Sequence, residues 1–163
     1  MQLERKEYAL KWYRYGLDND LDYISRFMMH WIAFNWMYCE SRGSSERERI
    51  KAFCRRNSQK LLLYDPFDTD EVQVFKEGPV YRVRGTQSND DPEELYKDIR
   101  EGRGNTTKRA TSLLLSVYQV RCNLFHGGKS PDNRRDLRLV ESSAEIMNGY
   151  LRVLLSGFPD SLR

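Results

Sequence analysis

The chain has 163 residues, of which 39% are hydrophobic and 31% are charged. These proportions are typical of a globular domain and exclude a disordered tail. The formal net charge of +3 permits contact with nucleic acid but does not require it, because dedicated nucleic-acid binders usually concentrate more positive charge. We therefore expect a single domain over residues 1–163, and composition alone leaves its partner open.

The cysteines and the apolar stretches indicate a cytoplasmic protein. Cys39, Cys54 and Cys122 form no CxxC pair and no Cys/His cluster with zinc spacing. An odd number of cysteines without such a framework is typical of a reducing compartment. The most apolar stretch, residues 27–38, is too short to span a bilayer, and the N-terminus is too charged for a signal peptide. We expect no membrane contact, no metal and no cofactor.

The periodicity of apolar residues predicts three helices in the first part of the chain. They cover about residues 3–17, about residues 20–40 starting near Asp20 or Asp22, and about residues 45–57. The second helix carries a stripe of large apolar residues at spacings of three and four. Asn35 falls on that stripe, so we expect its side chain to form a buried hydrogen bond.

Residues 58–104 predict a less regular insert. Val72–Phe75 and Val80–Val83 flank Gly78-Pro79, which fits either a small hairpin or a long loop. A turn cluster at residues 88–92 then precedes a short predicted helix over Glu93–Glu101.

Two long helices are predicted in the last third of the chain. One starts near residue 105 and stops at Gly127-Gly128, since glycine readily leaves a helix in the left-handed conformation. The other opens at residues 130–132 and stops near Gly157. Two long antiparallel helices joined by a short loop, together with the second helix, predict an all-α antiparallel helical bundle.

The segment over residues 121–129 carries the strongest chemical signal. Arg121 lies on the apolar stripe of its helix, where a charge is costly unless it is paired or lies at an interface or cleft. His126 lies in the last helical turn. A histidine can move protons, an arginine can stabilise negative charge developing on a phosphate, and the amide of Asn123 can orient a group. This combination suits phosphodiester chemistry.

The same segment also has a purely structural interpretation. A polar face of the helix is formed at helical spacing by Ser112, Ser116, Gln119, Asn123 and His126. Asn123 and His126 could therefore simply face water. In an ideal helix, Arg121 and His126 lie about 140° apart. They could share a site only if the helix distorts before its end or if a two-fold dimer brings two copies together.

An Arg-x4-His motif at a helix end, with an Asn two residues after the Arg, resembles the signature of HEPN domains. In this sequence the motif consists of Arg121, Asn123 and His126, within a Leu-Phe-His-Gly-Gly-Lys run. The aromatic stretch at residues 27–38 is similar to the second-helix motif of stand-alone members. The resemblance covers the helices at about 20–42 and 106–155 but not the middle region.

The resemblance implies a helical bundle, usually dimeric, in which two Arg-x4-His motifs face each other across the interface. Many members are metal-independent endoribonucleases in toxin–antitoxin, phage-defence or RNA-processing systems. By position, His126 would be the acid/base, Arg121 the phosphate stabiliser and Asn123 the supporting polar residue. The nucleophile would be the 2′-hydroxyl of the RNA, which leaves a cyclic phosphate. The expected partners are RNA, a second copy of the chain and an antitoxin or regulatory protein.

One position departs from part of the family. In the branch paired with nucleotidyltransferase antitoxins, a Tyr usually lies two residues after the His, and here that position is Gly128. Control by nucleotide transfer to this Tyr is therefore not expected. Other members have lost catalysis. Two alternatives stay open: a non-catalytic module that binds RNA or a partner protein, and a purely structural dimer in which Arg121 satisfies a buried partner.

A group of basic residues follows the motif in the sequence: Lys129, Arg134, Arg135 and Arg138. They could be the solvated start of the last helix. If they line the same cleft as His126, they could bind phosphates of the substrate without reading its bases.

Overall fold

A computed structural model describes residues 2–82, 90–127, 130 and 132–157 of the chain. Within these ranges the chain forms eight helices and no strand: α1 (Gln2–Gly16), α2 (Tyr23–Tyr38), α3 (Glu46–Arg56), α4 (Ser58–Leu61), α5 (Asp70–Lys76), α6 (Pro92–Glu101), α7 (Thr106–Phe125) and α8 (Arg134–Leu154). The helices pack around a common apolar core, so the prediction of an all-α helical bundle is confirmed.

Polar side chains fix the starts of three long helices. The carboxylate of Asp22 caps α2, and the side-chain oxygen of Asn105 caps α7, each by accepting a hydrogen bond from a backbone N–H of the first turn. Ser45 and Glu48 form a reciprocal capping box at the start of α3. These caps explain why the predicted starts of α2, α3 and α7 agree with the observed ones to within two or three residues.

Two groups of helices build the bundle. Helix α2 packs along α1 and also against α8, which in turn contacts α5. Tyr8 stacks on Trp36 with ring centres 5.0 Å apart, and Tyr13 lies 5.6 Å from His30, so α1 and α2 run antiparallel. Helix α7 packs mainly against α6 and α3. Its contact with α8 is smaller, although the sequence suggested these two helices as the main pair.

The insert contains three short helices rather than a hairpin or a long loop. Val72–Phe75 lie in α5, where Val72, Val74 and Phe75 are buried. A helix of seven residues has too few turns to show a 3.6-residue period, and its β-branched residues favour a strand interpretation. Residues 80–82 have no regular structure, and Val83 lies outside the described residues. The predicted helix over Glu93–Glu101 is confirmed as α6.

The expectation of a buried Asn35 is wrong. The buried face of α2 runs through Phe27, Trp31, Phe34 and Tyr38, whereas Asn35 is exposed. Asn35 follows Phe34 directly and is therefore rotated by about 100° away from it around the helix axis. The buried face also includes His30 and Ala33, so it is rotated away from Asn35 relative to the stripe that the sequence suggested.

Among the described residues, no helix has both the length and the apolar character required to cross a membrane.

Candidate active site at the end of helix α7

Helix α7 remains regular up to its last residue. The backbone N–H of His126 donates to the carbonyl of Cys122 at 3.0 Å, which continues the helical hydrogen-bond pattern. Gly127 then adopts a φ of +68°, as the sequence predicted for the residue that leaves the helix. The helix therefore does not distort before its end, and a bend cannot bring Arg121 and His126 together.

Arg121 is partly exposed and only loosely paired. Its Nη1 lies 3.7 Å from Oε2 of Glu46, and its guanidinium lies 4.8 Å from the ring centre of Phe125. The Arg121 side chain is 30% exposed, and its buried Nε makes no hydrogen bond within the described part of the chain. A guanidinium has five N–H donors, so Arg121 keeps donors available for a further acceptor.

Glu46 is the partner that sequence reasoning missed. It is the first residue of α3, and its Oε1 accepts a hydrogen bond from the hydroxyl of Tyr38 at the end of α2. Burial and this hydrogen bond both raise the pKa of the Tyr38 hydroxyl, so the hydroxyl remains a donor. The sequence marks Glu46 as an acidic first-turn residue, but no sequence pattern connects α3 with Arg121 in α7.

Asn123 lies in a buried network rather than facing water. It is 4% exposed, its Nδ2 donates to the carbonyl of Tyr81 at 2.7 Å, and its Oδ1 accepts from Nε2 of Gln119 at 2.7 Å. The Gln119 Oε1 in turn accepts from Arg47, which pairs with Asp90 at 3.4 Å. Both polar ends of the Asn123 amide are therefore satisfied inside the protein.

Arg47 closes this network at a partly buried position. Its guanidinium lies 4.8 Å from the ring centre of Tyr118 and makes contact with the carboxylate of Asp90. Burial lowers the pKa of Arg47, and the negative charge of Asp90 acts in the opposite direction. The network joins α3, α7 and the segment before α6, and so it fixes the register of α7 against its neighbours.

The remainder of the polar face of α7 is also buried. Ser112 donates to Oδ2 of Asp98 at 2.8 Å, and Ser116 donates to the carbonyl of Ser112 at 3.0 Å. The alternative in which Asn123 and His126 both face water therefore does not hold for Asn123, because α3 and α6 cover this side of the helix. Only the last member of the face, His126, is exposed.

His126 stands apart from Arg121 within one chain. Its side chain is exposed and makes no hydrogen bond among the described residues. On a regular helix, Arg121 and His126 project about 140° apart. The three residues of the motif thus occupy three environments: Arg121 is half-buried beside Glu46, Asn123 is buried, and His126 is exposed.

The basic residues beyond the motif are mostly engaged inside the chain. Arg135 donates to the carbonyls of Gly78 and Pro79 at 2.9 and 3.2 Å. Arg138 makes two hydrogen bonds to the carboxylate of Glu77, at 2.6 and 2.9 Å. These contacts attach the start of α8 to the end of α5.

Two other basic residues complete the predicted set. Arg134 is exposed and has no side-chain partner within the described ranges, so it remains available to an anion. Lys129 lies outside the described residues. The described part of the chain also has no group of three His, Cys, Asp or Glu side chains arranged to hold a metal ion.

Comparison with protein-family models gives no match, and comparisons with curated proteins and with solved structures give none either. The resemblance to HEPN domains therefore depends on the residues of this chain alone.

Proposed function

We propose that this chain is a metal-independent endoribonuclease of HEPN type, in which Arg121 of one copy and His126 of a second copy form one site. The observation that carries the proposal is that both side chains reach solvent near the end of α7 but project in different directions. A two-fold axis near this end would place the Arg of each copy opposite the His of the other.

The surface around the two residues supports self-association. Phe125, adjacent to His126, is 60% exposed, and Tyr81, whose carbonyl binds Asn123, is 59% exposed. Large aromatic side chains exposed on a folded protein often mark an interaction surface. Association of two copies through this surface would cover the aromatic rings and bring the two motifs together.

In the proposed reaction, the 2′-oxygen of the RNA attacks the adjacent phosphorus while the bond to the 5′-oxygen breaks. His126 accepts the proton that leaves the 2′-hydroxyl and donates a proton to the departing 5′-oxygen. Arg121 donates to the phosphate oxygens as negative charge develops. The loose pairing of Arg121 supports this role, because a separation of 3.7 Å from Glu46 leaves its donors without a strong internal acceptor.

Two further residues would act through the first two. Glu46 orients the guanidinium of Arg121 and is itself oriented by Tyr38. Asn123, at 4% exposure and with both amide ends bonded, would hold the helix in place rather than contact RNA. We therefore assign both as positioning residues in the proposed site.

Phosphates of the RNA beyond the cleaved bond would be bound by a small basic group. Arg134 supports this function best, because it is exposed and has no partner among the described residues. Arg135 and Arg138 would have to exchange their bonds to the 77–79 segment for phosphate contacts. We also include Lys129 among the proposed phosphate-binding residues, because it follows His126 closely in the sequence.

A non-catalytic module that binds RNA or a partner protein is the second candidate. The internal bonds of Asn123, Arg135 and Arg138 favour it, because they leave fewer polar groups for chemistry than the motif suggests.

In the cell, the nuclease would act in the cytoplasm in toxin–antitoxin, phage-defence or RNA-processing reactions, with an antitoxin or regulatory protein as a further partner.

The test compares wild type with Arg121→Ala and His126→Ala on total RNA in excess chelator. Wild type should cleave and leave 2′,3′-cyclic phosphate ends, and each variant should lose at least about 100-fold in rate. Arg152→Ala is the matched control, because Arg152 is an exposed arginine on α8 away from the motif. Intact RNA with a folded wild-type dimer would overturn the nuclease proposal in favour of the binding module.

A further inference from the structure

A cavity of about 580 Å³ opens near the start of α7, on a part of the bundle that the proposed nuclease site does not use. It is lined by α3, the start of α4, α6 and the first turns of α7. Its volume is in the range of small-molecule sites, which is about 300–1,000 Å³. Ser112 lines the cavity and lies about 16 Å along the axis of α7 from Asn123 of the motif, so the two sites are distinct.

A buried carboxylate forms one polar part of the cavity lining. Asp98 of α6 is 4% exposed, so its charge is held largely away from water. Its Oδ2 accepts a hydrogen bond from the hydroxyl of Ser112 at 2.8 Å. Its Oδ1 is also buried and accepts no hydrogen bond among the described residues. Because a buried acceptor without a hydrogen bond costs free energy, this oxygen favours a further donor.

The cation beside this oxygen, Lys108, is held loosely. Its Nζ lies 3.0 Å from Oδ1 of Asp98, which compensates the charge, but the contact does not have the direction of a hydrogen bond. The Lys108 side chain is 56% exposed, whereas that of Asp98 is 6% exposed. A lysine side chain is long, flexible and strongly hydrated, so Lys108 can turn into solvent and leave Asp98 to an ammonium group that enters the cavity.

An arginine without a carboxylate partner forms another polar part of the lining. Arg55, in the last turn of α3, is exposed and pairs with no carboxylate among the described residues. Ser58, at the start of α4, adds a hydroxyl to the lining. A guanidinium can bind a carboxylate through two parallel hydrogen bonds, and a hydroxyl can donate a third. The other charged lining residues, Lys51 and Asp90, pair with each other.

The cavity also has an apolar wall. It includes Leu95 of α6, which is partly buried, and Leu115 of α7, which is 1% exposed. Among the described residues that line the cavity there is no aromatic ring on which a planar ligand could stack. The two leucines suit a small apolar group, whose removal from water contributes about 25 cal/mol per Å².

We infer that this cavity binds a free α-amino acid with an apolar side chain. The ammonium group of the ligand donates to Oδ1 of Asp98, and its carboxylate accepts from Arg55. The apolar side chain packs against the wall that contains Leu95 and Leu115. An amino acid carries both charges at neutral pH, so one ligand accounts for an acceptor that lacks a hydrogen bond and a cation that lacks a carboxylate. The inference stands independently of RNA cleavage.

Calorimetric titration of the purified full chain tests the inference with leucine, isoleucine, valine, methionine and phenylalanine as probes. The amine and the carboxylate that correspond to the best binder serve as half-ligands, which for leucine are isopentylamine and isocaproate. At least one amino acid should bind. Each half-ligand should bind at least about ten-fold more weakly, because it leaves either Asp98 or Arg55 without its new partner.

Arg55→Gln tests where the carboxylate of the ligand lies. The variant should bind the amino acid about ten-fold more weakly, which is the loss expected for a charge-assisted hydrogen bond. Arg55 is exposed and pairs with no carboxylate in the described part of the chain, so the variant should fold normally. Arg42→Gln is the matched control, because Arg42 is also exposed but does not line the cavity, and it should bind as wild type does.

Lys108→Gln distinguishes an amino acid from a simple anion. Lys108 competes with the ammonium group of the ligand for Asp98. Its removal should therefore leave the binding as tight as in wild type or up to about five-fold tighter, since an exposed lysine contributes little to such a pair. A simple anion would instead lose an attractive charge and bind more weakly.

Four outcomes would overturn the inference. Failure of all five amino acids to bind would exclude this class of ligand. A half-ligand that binds as tightly as the amino acid would show a site for one charge only. Equal affinity in wild type and Arg55→Gln would place the binding elsewhere on the protein. Weaker binding by Lys108→Gln would show that the ammonium group does not replace Lys108 beside Asp98.

Discussion

The interior between α2 and α8 and the exposed end of α7 each hold one of the chain's two histidines. His30 is fully buried, its Nδ1 lies 3.2 Å from the carbonyl of Ala144, and its Nε2 has no partner among the described residues. His126 is exposed and free of side-chain bonds within the same residues. The same side chain is thus packed in the interior in one region and open to solvent in the other.

Asn35 on α2 and Asn123 on α7 also differ in burial. Each has the environment opposite to the one that its place in the helical pattern suggested. Asn123 of the motif is buried and bonded, whereas Asn35 of the apolar stripe is exposed. Residue type alone therefore does not separate a structural from a functional polar group. What distinguishes the two kinds of polar group is whether other helices cover the face on which the group lies. We therefore expect substitutions of covered residues to change stability and substitutions of the exposed residues at the end of α7 to change activity.

The largest effect is expected from protonation of His30. Burial lowers its pKa to about 4, the charge of Arg26 acts in the same direction, and the bond to Ala144 opposes them. As the pH falls below 6.5, the ordinary pKa of histidine, His30 of the unfolded chain takes up a proton, whereas His30 of the folded chain does so only near pH 4. The free energy of unfolding should therefore fall by about 3 kcal/mol between pH 6.5 and pH 4, and change no further through this group below pH 4.

Denaturant unfolding at a series of pH values measures this effect. His30→Gln should remove this part of the pH dependence, since Gln does not titrate. His126→Gln is the matched control and should keep it, because the His126 side chain is exposed. A His30→Gln protein with the same pH dependence as wild type would show that the interior does not depend on a neutral His30.

A smaller loss of stability is expected from Asn123→Ala. The substitution leaves the buried Gln119 amide without its acceptor and removes the part-buried bond to the Tyr81 carbonyl, which together cost about 2 kcal/mol. Asn35→Ala on the exposed face of α2 should change stability by less than about 0.5 kcal/mol. Urea midpoints of the two variants give the difference, and equal midpoints would contradict the distinction between the two asparagines.

The smallest change in stability is expected from Arg121→Ala. Its pair with Glu46 is partly exposed and 3.7 Å long, so its loss should cost less than about 1 kcal/mol. Urea unfolding of the variant used in the cleavage assay provides the measurement. A loss of several kcal/mol together with no affinity for RNA would instead support the purely structural dimer, in which Arg121 serves a buried partner.

Much of the fold could be predicted from the sequence because local signals agree with tertiary packing. The starts of α2, α3 and α7 are marked by capping residues, and the end of α7 by Gly127. Helix α5 could not be recognised, because seven residues show no clear period and its three buried residues include two valines.

The candidate site could be predicted only in part. The spacing of Arg121 and His126 on one helix is a local property, so their divergence follows from helix geometry. The pairing of Arg121 with Glu46 and of Asn123 with Tyr81 joins residues 75 and 42 positions apart in the chain. Such contacts depend on how α3 and the segment before α6 cover α7, which no periodicity in the sequence reports.

The most direct test of a shared site is a mixture of two inactive variants. Arg121→Ala and His126→Ala are co-expressed, and RNA cleavage by the mixed protein is compared with that of each variant alone and of wild type. If Arg121 and His126 of different copies form one site, a mixed dimer regains one intact site of two. Random mixing makes about half of the dimers mixed, so roughly a quarter of wild-type activity should return. Cleavage by wild type with no recovery in the mixture would contradict a site shared between copies.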